Sequence, residues 1–149
     1  MVYHIRMHLV VVIPAYNESR VIGSVVRSIP KQIQGVEKIT TIVVDDNSHD
    51  TTQVVARKAG AVCIRHESNL GAGGATITGF EAAKKLKADI IVTMDGDGQH
   101  RGKDMHHLVG PIIEKRAEVV LGSRLKGIST EGMSTFKRFG NNDINLVTF

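Results

Sequence analysis

The chain has 149 residues, 42% hydrophobic and 23% charged, with a formal net charge of +4. That is enough for one domain with a sizeable core, spanning residues 1–149, and it excludes a disordered or fibrous composition. Aromatics are only 4%, Trp is absent and Lys and Arg are scattered, so nucleic-acid binding is a poor reading; the positive balance suits an anionic ligand or surface.

Met1 to His8 carries two His and one Arg before the first apolar run. It has no signal-peptide core and reads as an extension, with Met7 as an alternative start. Leu9-Val10-Val11-Val12-Ile13 reads as a buried strand ended by Pro14. Glu18 to Ile29 shows helical spacing at Val21, Ile22, Val25, Val26 and Ile29, and Pro30 stops it. Thr40 to Val44 predicts a second strand leading into Asp45-Asp46-Asn47-Ser48. Asp50 and Gln53 have the spacing of a capping box for a helix that Gly60 ends after Ala59. Ala61 to Ile64 predicts a third strand; it contains Cys63, the one cysteine, a core residue that can form no internal disulfide and suits a reducing, cytoplasmic compartment. A glycine-rich loop, Asn69-Leu70-Gly71-Ala72-Gly73-Gly74, precedes a helix expected over 75–87. Asp89 to Met94 predicts the fourth strand. Lys103 to Lys115 is helical by composition with a kink at Pro111, and Glu118 to Leu121 is a short fifth strand. After the loop signal Gly122-Ser123-Arg124, residues 133–149 are compatible with an amphipathic helix that lies on a membrane surface or packs against protein. No apolar run reaches the roughly 18 residues a bilayer span requires.

Apolar strands alternating with helices predict βαβ units and a mostly parallel α/β sheet, with the strand C-termini gathered on one edge. The loops after the first four strands converge there, which is where open α/β sheets bind ligands. The loop after the fourth strand is the most telling. Asp95 and Asp97 are two apart, so on an extended chain they face the same way. Carboxylates that close repel unless a cation lies beside them, and oxygen-only donors suit Mg²⁺ or Mn²⁺. Gly96 and Gly98 allow a bulky ligand close to the backbone. Tyr16 offers a flat face for a nucleobase and Glu18 a hydrogen-bond acceptor, although Glu18 can equally serve a helix N-terminus. Asp45 and Asp46 are open to reading as helix-capping acids. The adjacent His106 and His107 point to different sides of a helix and do not make a zinc site.

Five motifs stand in order: Val12-Ile13-Pro14-Ala15-Tyr16-Asn17-Glu18, Val43-Val44-Asp45-Asp46-Asn47-Ser48, Asn69-Leu70-Gly71-Ala72-Gly73-Gly74-Ala75, Met94-Asp95-Gly96-Asp97-Gly98-Gln99-His100 and Gly122-Ser123-Arg124. Together they resemble the family 2 glycosyltransferases of GT-A fold, in the branch of dolichyl-phosphate mannose and glucose synthases. The resemblance implies a Rossmann-like three-layer sandwich, C-terminally truncated, that transfers a sugar from a UDP- or GDP-sugar to a saccharide or polyprenyl-phosphate acceptor with inversion. It implies donor contacts at Pro14, Tyr16, Glu18, Val44, Asp46, Gly71, Gly74, Asp95, Gly96, Asp97, Gln99 and Arg124. Metal ligation falls to Asp95 and Asp97, with Gln99 beside the diphosphate and the Gly71 loop shaping the donor pocket. Arg101-Gly102-Lys103 stands where the family commonly has prolines, and the chain is shorter than the family's usual length. A non-catalytic nucleotide-sugar-binding module is the alternative, and a sugar-phosphate nucleotidyltransferase a more distant one. Peripheral membrane contact at the cytoplasmic face and a homodimer through an open sheet edge are the expected associations.

Overall fold

The computed structural model describes residues 7–99, 102–122 and 145–148. In chain order these form β1 (Met7–Ala15), α1 (Ile22–Ser28), β2 (Val36–Asp45), α2 (Thr52–Lys58), β3 (Val62–Arg65), α3 (Gly71–Lys85), β4 (Ile90–Thr93), a 3-10 turn (Gly102–Asp104), α4 (Met105–Ile113), β5 (Val120–Gly122) and β6 (Asn145–Thr148). The sheet order is β3-β2-β1-β4-β6-β5. Strands β1 to β4 are parallel, and β6 runs antiparallel to both β4 and β5.

The central strand sets the layers. Leu9 through Ile13 are all 0% exposed, because β1 is covered on both faces. Such a strand needs an unbroken apolar run rather than alternation. Leu9, Val11 and Ile13 face a core shared with Ile22, Val25 and Val26 of α1, Ala56 of α2, and Met105, Val109 and Ile112 of α4. Val10 and Val12 face the opposite core, with Ile42, Val44 and the α3 residues Ala75 and Ala83. Each fully buried Val, Leu or Ile contributes about 1.5–3 kcal/mol, so this strand anchors both cores. Gly79 lets α3 approach closely: a Cβ there would lie 2.1 Å from Val12 Cγ1.

Several expected boundaries move. Pro14 does not end β1; it pairs with Val44, and the strand continues to Ala15. The proline is tolerated because the β1–β4 ladder has already ended at Val12–Thr93, so no partner on that side needs its missing N–H. The glycine-rich segment is not a loop before a helix. Gly71, at φ +78°, opens α3 itself, and Gly73 and Gly74 lie in its first turn. Asp50 and Gln53 form no capping box: the Asp50 carboxylate accepts from the Thr52 amide (2.9 Å) and hydroxyl and from the Ser19 amide (3.1 Å). Helix α4 runs through Pro111 and ends at Ile113, with Lys115 beyond it in the left-handed region at φ +56°.

The largest correction is at the C-terminus. Residues 145–148 form a strand, not the end of an amphipathic helix; 133–144 and 149 lie outside the described residues. In β6, Val147 pairs with Val92 on one side and Val120 on the other. The β4 edge is therefore covered, and the edges of the sheet are β3 and β5. Among the described residues, no helix is long and apolar enough to cross a membrane.

Candidate functional site

The chain passes from β1 out to β2 and β3, then crosses back through α3 to β4 on the other side of β1. The order therefore reverses between β1 and β4, and ligands of open α/β sheets bind beyond the strand C-termini at such a point. Residues 14–18 leave β1 there, and 94–99 leave β4.

These two loops pack together. The Met94 amide donates to the Val12 carbonyl (3.1 Å), extending the β1–β4 contact past the ladder. Gly96 is then buried at the loop junction: a Cβ on it would lie 3.2 Å from the Pro14 carbonyl oxygen and 3.4 Å from both Ala15 Cβ and Ile22 Cδ1. Asp95 and Asp97, both half-buried, flank this tightly seated glycine. Asp97 Oδ1 accepts from the Gln99 amide (2.9 Å), closing an Asx turn across Gly98, whose φ is +80°.

The loops after β1 and β2 are bound as one unit. Asn17 and Asn47 both sit at positive φ, 55° and 64°, where Asn is among the few non-glycine residues that settle. The Asn17 amide donates to Ser48 Oγ (2.9 Å) and the His49 amide donates to Asn17 Oδ1 (2.8 Å). The Glu18 amide donates to Thr52 Oγ1 (2.8 Å). Tyr16, 44% exposed, stands edge-to-face with His49, ring centroids 6.3 Å apart.

Asp45 and Asp46 divide their work. Asp45, 0% exposed, pairs with Arg65 Nη1 (2.5 Å) and accepts from the Ser48 amide (3.0 Å). Asp46, 3% exposed, accepts at Oδ1 from the Leu70 amide (2.8 Å) and meets His66 Nδ1 (2.7 Å). The other nitrogen of His66 reaches Thr78 Oγ1 on α3 (2.9 Å). Burial alone would raise the Asp46 pKa, but the Leu70 amide, the His66 ring and the Gly71 amide outweigh it and hold the carboxyl below its usual range. Asp46 thus ties the start of α3 to the end of β2, which sets the position of Gly71 and Gly74. Val44 is wholly buried in register with Pro14 and Ile64, so a donor contact at this residue would be made by its backbone.

Acid dominates this edge. The Glu18 pKa is raised by burial first, then by the charges of Asp97 and Asp50. Asp50 itself is lowered to about 2: burial opposes this, but hydrogen bonds from Thr52 and Ser19 prevail. Among the described residues, no three His, Cys, Asp or Glu side chains form a cluster that could hold a metal alone. As a pair of oxygen donors, Asp95 and Asp97 suit a divalent ion of another kind, one that keeps positions for water and phosphate oxygens, and the charges of Asp97 and Asp50, which add to burial in raising Glu18, would be offset by a cation there.

Pro14, Tyr16, Glu18, Asp95, Gly96, Asp97 and Gln99 are therefore brought to one place, with Asp46, Gly71 and Gly74 adjoining across the β2 and β3 exits. Arg124 and His100 lie outside the described residues. The supporting residues Asn17, Ser48, Thr52 and His66 were not anticipated; only the two strand-exit asparagines carried a sequence signal, through their tolerance of positive φ. A cavity of about 190 Å³ at the opposite end of the strands, between the ends of α1 and α2, has Lys31 as its one charged lining residue and is remote from this chemistry.

The sequence pattern of Glycosyl transferase family 2 matches residues 10–141. The chain is 36% identical, over 93% of its length and 61% of the relative's, to a UDP-N-acetylglucosamine–dolichyl-phosphate N-acetylglucosaminyltransferase of Methanococcus voltae. It is 39% identical, over 93% of its length and 56% of the relative's, to an uncharacterised protein of Methanocaldococcus jannaschii. Glucosyl-3-phosphoglycerate synthase from Mycobacterium tuberculosis, solved with Mn²⁺, UDP and glucosyl-3-phosphoglycerate, superposes with a TM-score of 0.60 at 30% identity, over 76% of this chain and 42% of that one. The chain thus spans 56% and 61% of the length of these two sequence relatives.

Proposed function

This chain belongs to glycosyl transferase family 2, and on that premise we propose that its strand-exit site holds a UDP- or GDP-sugar for transfer to a polyprenyl phosphate of the dolichyl kind, with inversion at the sugar carbon. The observation that carries the reading is the meeting, at the β1–β4 switch point, of an exposed aromatic corner and a pair of carboxylates on a tightly seated turn. A nucleotide-sugar needs both: a flat surface for its base, and cation-assisted neutralisation for its diphosphate.

Each residue has a part in this reading. Tyr16 takes the base on its face. Glu18, with a raised pKa, accepts a hydrogen bond from the ribose. Asp46 keeps the start of α3 against the β2 exit, so that Gly71 and Gly74 present backbone rather than side chain to the donor. Asp95 and Asp97 hold Mg²⁺ or Mn²⁺, and Gln99 and Arg124 stand beside the diphosphate. The ion, when bound, supplies Lewis-acid stabilisation of charge on the departing nucleoside diphosphate. The acceptor phosphate is already anionic and needs no strong base to attack. A lipid-linked acceptor places the protein at a membrane surface, which its net charge of +4 suits.

The test is transfer of radiolabelled sugar from UDP-N-acetylglucosamine, UDP-glucose or GDP-mannose to a short-chain polyprenyl phosphate. Labelled lipid product in the presence of Mn²⁺ supports the reading. Donor binding without product from any of them means that the chain holds nucleotide-sugar and does not transfer it.

A further inference from the structure

Tyr16 and His49 belong to different loops, yet the structure fixes them against each other. Reciprocal hydrogen bonds lock the backbones: Asn17 donates to Ser48 Oγ, and Asn17 Oδ1 receives the His49 amide. The rings then meet at 74°, centroids 6.3 Å apart. Both are exposed, Tyr16 at 44%, on an edge that also carries Glu18, Asp50, Asp95 and Asp97. Among the described residues, neither ring nitrogen of His49 has a hydrogen-bond partner.

Two planes near a right angle form a corner. A flat ligand lying on one ring presents its edge to the other. That geometry suits a flat heteroaromatic ring whose edge carries donors and acceptors. Imidazole carries two polar nitrogens in its ring plane, so where its rim borders a ring stacked on Tyr16 it can match one pattern of edge groups and mismatch another. A phenyl ring could provide the same wall but could not read the edge.

We propose that His49 is a specificity-determining residue for the nucleotide: the base stacks on Tyr16, and the imidazole of His49 contacts its edge and discriminates between uracil and guanine. This rests on the donor-site reading above but adds a residue to it, because a base could stack on Tyr16 alone. Discrimination by a polar rim exacts a penalty on the wrong base, whose groups are left unmatched against a ring that has displaced their water.

The experiment is calorimetric titration of UDP and GDP, with Mn²⁺, into the full chain and into His49→Ala, His49→Phe and Asp97→Ala. The inference expects His49→Ala to weaken the preferred nucleotide about three- to tenfold and to bring the UDP/GDP affinity ratio toward one. His49→Phe should recover the affinity lost but not the ratio. Affinities for both nucleotides within twofold of wild type in His49→Ala, with Asp97→Ala still impaired, would overturn the inference and leave the donor site standing. Recovery of both affinity and ratio by His49→Phe would also overturn it, since stacking alone would then account for the preference. Failure of the wild-type chain to bind either nucleotide would remove the donor-site reading and this inference with it.

Discussion

Replacing His66 by Ala tests the connection between the β2 exit and α3. The His66 side chain is 9% exposed and that of Asp46 4%. The substitution removes a charge-assisted hydrogen bond of 2.7 Å to Asp46 and a second of 2.9 Å to Thr78. A hydrogen bond to a charged group is worth about 1.5–3 kcal/mol and a neutral one about 0.5–1.5. Stranding a buried charge completely would cost about 3–5 kcal/mol, but Asp46 keeps the Leu70 and Gly71 amides. The expected loss is therefore about 2–4 kcal/mol, a fall in Tm of roughly 5–15 °C for a chain of this size. The sign with pH follows from Asp46. Its folded-state pKa is depressed, so its contribution is complete above the unfolded value of 3.8 and disappears as pH falls through the folded value. Thermal melts followed by circular dichroism should show the full gap between wild type and variant at pH 7 and a narrowed gap below that window. His66→Asn, whose amide nitrogen takes the place of Nδ1, should recover about half of the loss. A Tm change under about 2 °C, or a gap that does not vary with pH, would refute the reasoning.

Gly79→Ala places a Cβ 2.1 Å from Val12 Cγ1; overpacking of about 1–3 kcal/mol should exceed the roughly 1 kcal/mol gained in helix propensity, and urea melts should show a partial rescue when Val12→Ala is added. Glu18→Gln removes a carboxyl whose pKa is raised by burial and by Asp97 and Asp50. A raised acid costs stability as pH rises from the unfolded pKa through the folded one, so this variant should be more stable than wild type at pH 7, by up to about 1 kcal/mol, and indistinguishable from it below pH 4.5. Denaturant midpoints at both pH values measure this, and the same variant should bind donor less well.

How much of this was legible depended on how local the cause was. The unbroken run from Leu9 to Ile13 announced a strand covered on both faces, and Asp95-Gly96-Asp97 announced its own position, because an apolar strand must release its polar residues at its end. Pro14 misled because its cost depends on whether a neighbouring strand needs its N–H, and the early end of the β1–β4 ladder at Thr93 is a tertiary fact. Gly71 to Gly74 were legible as glycines at a turn but not as the first turn of α3, since what holds that turn is Asp46, more than twenty residues earlier. His66 had no local signal, as both its partners are brought by folding. Strand β6 was missed because four residues carry little periodicity, and its partners, β4 and β5, lie far upstream.

Titration of UDP and GDP into the protein in Mn²⁺ and again in EDTA, repeated with Asp97→Ala, tests the central claim most directly. The account predicts binding of at least one nucleotide that needs Mn²⁺, and a weakening of at least about tenfold, some 1.4 kcal/mol, in the variant. Binding that is equally tight in EDTA, or untouched by loss of the Asp97 carboxylate, would contradict it.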